Sequence, residues 1–361
     1  MYNLKTRQIC LFFIAFIPVT KVFVLPSLIA EISGSDSFLS CLLNGIMDLI
    51  TLSVILFACK KYKTDFFTLM EKTLGIKGAN FIYVFYAVVF FLKALIPVND
   101  LRSYVEITLY ETIPSAFYFL PFFILCFYFC SKPLRVLGRC SDIAWIFTSV
   151  GFLILFALSI SHVDLTNLFP VGVNGINKIF SASMKTSLWY GDSVYLMFFI
   201  GNFLYKKKDA LKIALSYLGG ILIAVIFMVF FYTIFTSIAH RQTYSLTEIS
   251  KYSTVINNIG RFDYIGIVLI LFSNLFATSL PLYFSSMLIC RVFKTQKRWI
   301  TSLSITVALF ITITVFREYF YSIEKLLLSR FFPLWIFAGN ILPIILCVLP
   351  LKEKVNETVK A

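Results

Sequence analysis

The sequence predicts an all-α polytopic membrane protein of about ten transmembrane helices, a 5+5 inverted repeat with helices 1 and 6 broken. Three observations predict it. Of the 361 residues, 59% are hydrophobic and 14% are charged, and the mean hydropathy is +0.88; a soluble domain carries about a quarter charged residues. The apolar residues gather into runs long enough to cross a hydrocarbon core of about 30 Å. Lys and Arg collect in every second connection between those runs.

The runs lie near residues 8–30, 37–59, 79–98, 115–131, 141–160, 181–205, 210–239, 262–290, 299–316 and 328–350. The first follows Lys5 and Arg7 as a signal peptide would, but it is long, lacks an A-x-A site and precedes many further spans. It reads as a retained first helix. The third run can continue as helix through Arg102 and Glu106 to Pro114. With the N-terminus inside, the inside segments hold 21 of the 32 Lys and Arg residues. That bias places both termini in the cytoplasm, with residues 351–361 as a short tail. Basic clusters confined to loops between apolar runs exclude a nucleic-acid surface.

The chain reads as one transmembrane domain of two halves, 8–160 and 181–350. Five spans per half is an odd number, so the second half enters the membrane from the opposite side. Inverted repeats of this kind place a binding site near the midplane, where discontinuous helices meet.

Both candidate breaks carry ionisable residues. In the first span Pro18 and Pro26 bracket Thr20, Lys21 and Val22. Each proline removes a backbone donor and disturbs the preceding turn. A lysine this far from both ends of a span is costly against lipid and is expected to face a cavity or a carboxylate; the plainer alternative is a kinked helix with Lys21 snorkelling to the interface. In the sixth span Tyr190, Gly191 and Asp192 form the counterpart. Gly191 permits a bend. Asp192 pairs with Lys21, carries a proton, or caps the helix that follows. Asp48 in the second span and Lys93 in the third are either proton-relay members or an ion pair with each other. Asp142 reads as the start of the fifth helix, and Arg102 and Glu106 are spaced for a local ion pair. The polar segment Arg241 to Asp263 reads as a short outside helix or lid.

Enzyme signatures are absent from the sequence. It has no Walker A loop, GxSxG, HExxH or dinucleotide fingerprint, and no metal site or cofactor is expected. The eight cysteines include no CxxC pair and read as small buried apolar residues.

Several stretches resemble the spore germination permease family, the B subunits of nutrient germinant receptors. Leu25-Pro26-Ser27-Leu28-Ile29-Ala30 followed by Gly34-Ser35-Asp36-Ser37-Phe38-Leu39-Ser40 is similar to that family's first hairpin, where Trp usually replaces Phe38. Leu74-Gly75-Ile76-Lys77-Gly78, Leu101-Arg102 with Glu106 and Ile113-Pro114, and Leu137-Gly138-Arg139 resemble its next loops and helix ends. Asn167-Leu168-Phe169-Pro170-Val171 with Asn174-Gly175-Ile176, and Arg261-Phe262-Asp263, complete the likeness. Two departures stand out: Thr20-Lys21 occupies a break that usually carries a small residue or glycine, and a proline is missing near Tyr244-Ser245.

The resemblance implies a core of the amino acid/polyamine/organocation transporter kind, LeuT-like, with helices 1 and 6 broken around a ligand. It implies a small nutrient ligand, commonly an amino acid, A- and C-type partner subunits, and residence in the spore inner membrane or cell membrane. A proton-coupled amino acid symporter is the alternative. A scaffold subunit without a ligand is the third reading, and tight packing between residues 17–24 and 189–193 would favour it.

Overall fold

The computed structural model describes residues 4–62, 64–109, 115–206, 208–251, 263–295 and 297–349. Among these the secondary structure is almost wholly helical; one isolated parallel bridge joins Leu4 to Phe203. Among the described residues seven helices are long and apolar enough to cross a membrane, and Phe119–Ser131 is a shorter apolar helix. The spans at residues 8–30 and 181–205 are missing from those seven because each is interrupted.

The first span is split into α1 (Thr6–Lys21) and α2 (Leu25–Ser33). Pro26 sits in the first turn of α2, where its missing N–H costs nothing. A turn at Gly34–Asp36 then starts α3 (Ser37–Lys61). The helix α4 (Phe66–Leu109) begins before the predicted third span and bends at Gly75, whose φ of 71° falls in the left-handed region. α5 (Ser115–Ser131) and α6 (Leu134–Ser159) complete the first half. Because α6 begins at Leu134, Asp142 lies inside the helix and does not mark its start.

The sixth span consists of α7 (Ile176–Lys185), a 3-10 turn at Ser187–Trp189, and a single turn α8 (Val194–Met197). Between the two turns, Tyr190 is extended and Gly191 has φ of 77°. α9 (Asp209–Phe235), the lid helix α10 (Ser245–Lys251), α11 (Asp263–Val292) and α12 (Arg298–Val315) follow. α13 (Phe320–Ser329) and α14 (Phe332–Ile336) lead into a π-helical turn at Phe337–Ile341, beyond which the helix resumes. The Arg102–Glu106 pair, the Ile113-Pro114 stretch, most of Arg261-Phe262-Asp263 and the tail from 351 lie outside the residues or side chains described.

α1 is buried along much of its length, packed against α6, α9 and α11. Burial on so many sides is what a core helix of a bundle requires. On one face, Leu4 N–H donates to the Asn202 carbonyl at 3.1 Å, so the start of the chain is tied to the end of the sixth span. Arg7 and Gln8 reach Asp142 on the same face, at 3.1 and 3.0 Å. On the opposite face Asp36, fully buried, accepts from the backbone N–H groups of Gly172 (2.7 Å) and Asn174 (3.2 Å). Asn174 donates in return to the Ser33 carbonyl at 2.9 Å. Two stretches singled out in the sequence thus form one clasp, between the first hairpin and the segment that leads into the sixth span.

Candidate functional site

The two interrupted spans meet in the middle of the bundle. α1 ends at Lys21, and the backbone of Val22 to Val24 is non-helical. The ammonium group of Lys21 turns back along its own helix, donating to the Ile17 carbonyl at 3.3 Å and to Thr20 Oγ1 at 3.4 Å. Its main partner comes from the other break: Nζ stands 2.5 Å from Asp192 Oδ2. Lys93, from α4, meets the other oxygen of the same carboxylate at 2.9 Å and donates to the Tyr190 carbonyl at 2.6 Å. Asp192 is therefore clamped between two ammonium groups, and its bonds go to these cations, not to a helix cap.

Asp48 approaches from α3 on the other side of the break. Its carboxylate accepts the Gly191 N–H at 2.9 and 3.0 Å and the Tyr217 hydroxyl at 2.8 Å. Of the two alternatives for Asp48 and Lys93, an ion pair with each other does not form. Lys93 is taken by Asp192, and Asp48 instead fixes the backbone at the break. Two carboxylates and two ammonium groups make this buried constellation neutral as a whole, which suits a region where unpaired charge is costly. The Lys21 side chain is 1% exposed, so it does not snorkel.

Aromatic rings surround the charges. Lys21 Nζ lies 5.0 Å from the Tyr190 ring centroid, and Lys93 Nζ lies 5.7 Å from that of Tyr195, both within the range of a cation–π attraction. Toward the N-terminal face Tyr195 packs against Phe16, Phe90 and Phe284 with centroids 5.4, 5.3 and 4.9 Å away. Toward the other face Phe23, Tyr104 and Tyr244 form a triangle with sides of 5.1, 5.4 and 5.2 Å. The Ser245 N–H donates to the Phe23 carbonyl at 2.9 Å, so the lid helix α10 is fastened to the first break. Of the segment Arg241 to Asp263, expected to form a short outside helix or lid, the described part up to Lys251 contains the short helix α10.

Closed on both sides, the midplane holds two cavities of about 20 Å³, each lined in part by Lys93. One lies beside Thr20, Trp189 and Asp192; the other lies beside Tyr190, Gly191 and Gly339. Either has room for about one water. The hollow expected at the meeting of the two breaks is filled, because the lysines and the aromatic rings occupy it.

The predicted site residues Thr20, Lys21, Lys93, Tyr190, Gly191, Asp192 and Asp48 all converge. Val22 is fully buried in the first break, among apolar neighbours. Sequence reading missed Tyr217, one of several hydroxyl residues in a strongly apolar helix. It also missed Gly339, whose Cα lies 2.8 Å from where a Cβ on Gly191 would sit. Asn340, in the same π turn, accepts from Thr51 at 2.9 Å.

Residues 3–320 match the model of a family described as "Spore germination protein". The chain belongs to the spore germination permease family. The chain is also similar to the spore germination protein YndE of Bacillus subtilis (strain 168), 24% identical over 212 residues; that match spans 58% of this chain and 58% of YndE. Among solved structures, the fold is similar to that of MhsT in complex with L-phenylalanine. The TM-score is 0.58 at 12% identity, covering 95% of this chain and 97% of MhsT. It is also similar to Mhp1, a nucleobase-cation-symport-1 family transporter in a closed conformation with bromovinylhydantoin bound. There the TM-score is 0.51 at 13% identity, with 96% and 78% covered. The protein is thus a multi-pass membrane protein with the fold of these transporters.

Proposed function

We propose that this protein is the nutrient-sensing membrane subunit of a spore germinant receptor, with an amino acid as its ligand class. The observation that carries the reading is the Lys21–Asp192–Lys93 clamp where the two breaks meet. A zwitterion matches this arrangement term by term. Its carboxylate competes with Asp192 for the ammonium of Lys21 or Lys93, and its ammonium group takes the Asp192 oxygen so released. Ligand therefore exchanges with a built-in ion pair, and no charge is left unpaired in the low-dielectric interior. Thr20, Val22, Tyr190 and Gly191 form the walls.

Entry needs displacement of Lys93 or of the lid, since each cavity holds about one water. A ligand that binds only the opened arrangement shifts the population toward it, and A- and C-type partner subunits read that shift. In this reading the halves 8–160 and 181–350 rock against each other, both termini are cytoplasmic, and the membrane is the spore inner membrane or the cell membrane.

A panel of L-amino acids added to the purified protein tests the reading through thermal stability. A ligand at 100 times its Kd stabilises the folded state by about 2.7 kcal/mol. At least one amino acid is expected to raise the Tm of the wild type and to lose that effect in Lys21→Ala. Spores carrying Lys21→Ala are expected to answer nutrients poorly. An unchanged response to every ligand would remove Lys21 from the site.

The filled midplane favours a second reading, a scaffold subunit whose ion cluster is purely structural. It predicts no stabilisation by any amino acid. The transporter fold supports a third, a proton-coupled symporter, for which labelled amino acid uptake into proteoliposomes would collapse with the proton gradient.

A further inference from the structure

Three long helices have an end or a bend at one pocket, on the face that carries the N-terminus. α4 bends at Gly75 into its long apolar arm, α11 ends at Val292, and α12 begins at Arg298. The pocket between them has a volume of about 510 Å³ and is lined in part by Phe67, Glu71, Arg291, Lys294 and Arg298. Three cations thus face a single carboxylate. Glu71 is committed to Arg291: its Oε1 accepts from Nη2 at 2.9 Å and from Nε at 3.2 Å. Lys294 and Arg298 form no ion pair among the described residues.

Arg298 is the more telling of the two. Its guanidinium lies 4.2 Å from the Tyr283 ring centroid, and its Nε and Nη2 are buried with no hydrogen-bond partner among the described residues. Guanidinium nitrogens can only donate, and a buried donor left unmade is costly. Arg298 is only partly buried and lines the pocket, so a turn of its side chain off the Tyr283 ring brings these donors to an anionic acceptor there, and guanidinium geometry fits the oxygens of a phosphate. α12 also starts here without a side-chain cap, so its first N–H groups add positive potential at the same spot.

Exposed apolar side chains lie beside the pocket in the chain. Ile76, on its lining, is 57% exposed; Phe293 and Trp299, the chain neighbours of Lys294 and Arg298, are 72% and 52% exposed. All three stand at the ends of apolar stretches, at the level where a membrane's hydrocarbon gives way to headgroups. A free anion or an acidic peptide gains little from such side chains; acyl chains cover them. Phosphatidylcholine brings its own cation into a pocket already in cationic excess, and is disfavoured.

We propose that this pocket binds the phosphodiester headgroup of an anionic phospholipid. Arg298 and Lys294 hold the phosphate oxygens, and the acyl chains lie over Ile76, Phe293 and Trp299. The site is remote from the midplane clamp and does not depend on its reading.

The test uses the full-length protein in detergent, titrated with dioctanoyl-phosphatidylglycerol, dioctanoyl-phosphatidylcholine, glycerol 1-phosphate or a hexaglutamate peptide, with Tm as readout. A saturable rise is expected with phosphatidylglycerol alone. Arg298→Gln and Lys294→Gln should each weaken it by about tenfold, while Lys178→Gln, exposed elsewhere, leaves it unchanged. If Arg298→Gln does not fold, Lys294→Gln carries the same test, because that side chain is exposed. An equal rise with phosphatidylcholine, glycerol 1-phosphate or hexaglutamate would overturn the proposal, as would an unchanged response in both pocket variants.

Discussion

Lys21 and Asp192, 171 positions apart in the chain, meet at 2.5 Å with each side chain 1% exposed. Lys93 shares the same carboxylate from the opposite side at 2.9 Å. The asymmetry of this trio has a measurable consequence. Asp192→Asn removes the carboxylate that lies between the buried Lys21 and the partly buried Lys93, and leaving a buried charge without its partner costs about 3–5 kcal/mol. Lys21→Met leaves Asp192 still paired with Lys93, so the main loss is the charge-assisted bond to Asp192, about 1.5–3 kcal/mol, with the two longer bonds to Ile17 and Thr20 in its own helix adding less. Thermal unfolding in detergent is expected to rank Asp192→Asn as the less stable variant. The reverse order would mean that Lys93 does not share the carboxylate.

Tyr217 and Asp48 set the shape of the sixth-span break. The hydroxyl and the Gly191 N–H converge on one carboxylate, so either partner alone keeps part of the arrangement. Tyr217→Phe is expected to destabilise the protein by about 1.5–3 kcal/mol, the range for a bond to a charged group. Combined with Asp48→Ala, which removes the acceptor altogether, the two losses should fall short of their sum, since both remove the same bond. Full additivity in that double-mutant cycle would show that the two side chains act separately.

The meeting of the two breaks was legible in the sequence because its signals are local and chemically loud. Prolines bracket Thr20 and Lys21, a glycine precedes Asp192, and all stand in strongly apolar runs. The partnership within the cluster was not legible. Asp48 and Lys93 are both single charges in apolar helices, and nothing in their own segments says that Lys93 reaches Asp192 while Asp48 reaches Gly191. Helix rotation decides that, and rotation is set by packing against neighbours. Tyr217 and Gly339 gave no signal for the same reason. The filled midplane was equally invisible, because its closure comes from Phe16, Phe90, Tyr195 and Phe284 on four separate helices, any of which reads as an ordinary apolar residue.

Gly191 is the position where the fold leaves no room. Its φ of 77° is disfavoured for a residue with a Cβ by about 1–2 kcal/mol. A methyl group there would also lie 2.8 Å from the Gly339 Cα, a backbone atom that cannot swing aside. Gly191→Ala must therefore push the π turn at Phe337–Ile341 away from the break. The Tyr86 hydroxyl donates to the Ala338 carbonyl at 3.1 Å and resists that shift. A loss above 2 kcal/mol is expected from strain and displacement together (roughly the sum of a left-handed penalty and an overpacking cost), with faster amide exchange from Phe337 to Ile341. Gly219→Ala, with nothing within 4 Å of its Cβ, is the control and is expected to be near neutral or slightly stabilising. Equal behaviour of the two variants would refute the close approach of the two glycines.

The lid gives a prediction about access. Tyr244 closes a triangle of rings with Phe23 and Tyr104, and the next residue, Ser245, is bonded through its N–H to the Phe23 carbonyl. Truncating Tyr244 removes two edge or tilted ring contacts of about 0.5–1.5 kcal/mol each but leaves the backbone bond. The lid should open more often without unfolding. Thr20→Cys, which lines the midplane cavity, reports this through its added reaction with a small water-soluble thiol reagent. Labelling is expected to be slow in the Thr20→Cys protein and about tenfold or more faster when Tyr244→Ala is added, since each 1.4 kcal/mol shifts an opening equilibrium tenfold. Phe332→Ala, remote from the triangle, serves as the control for general loosening. If labelling at position 20 is as fast with Tyr244 in place as without it, the ring triangle is not the barrier on that face, and access to the Lys21–Asp192 pair is governed from elsewhere.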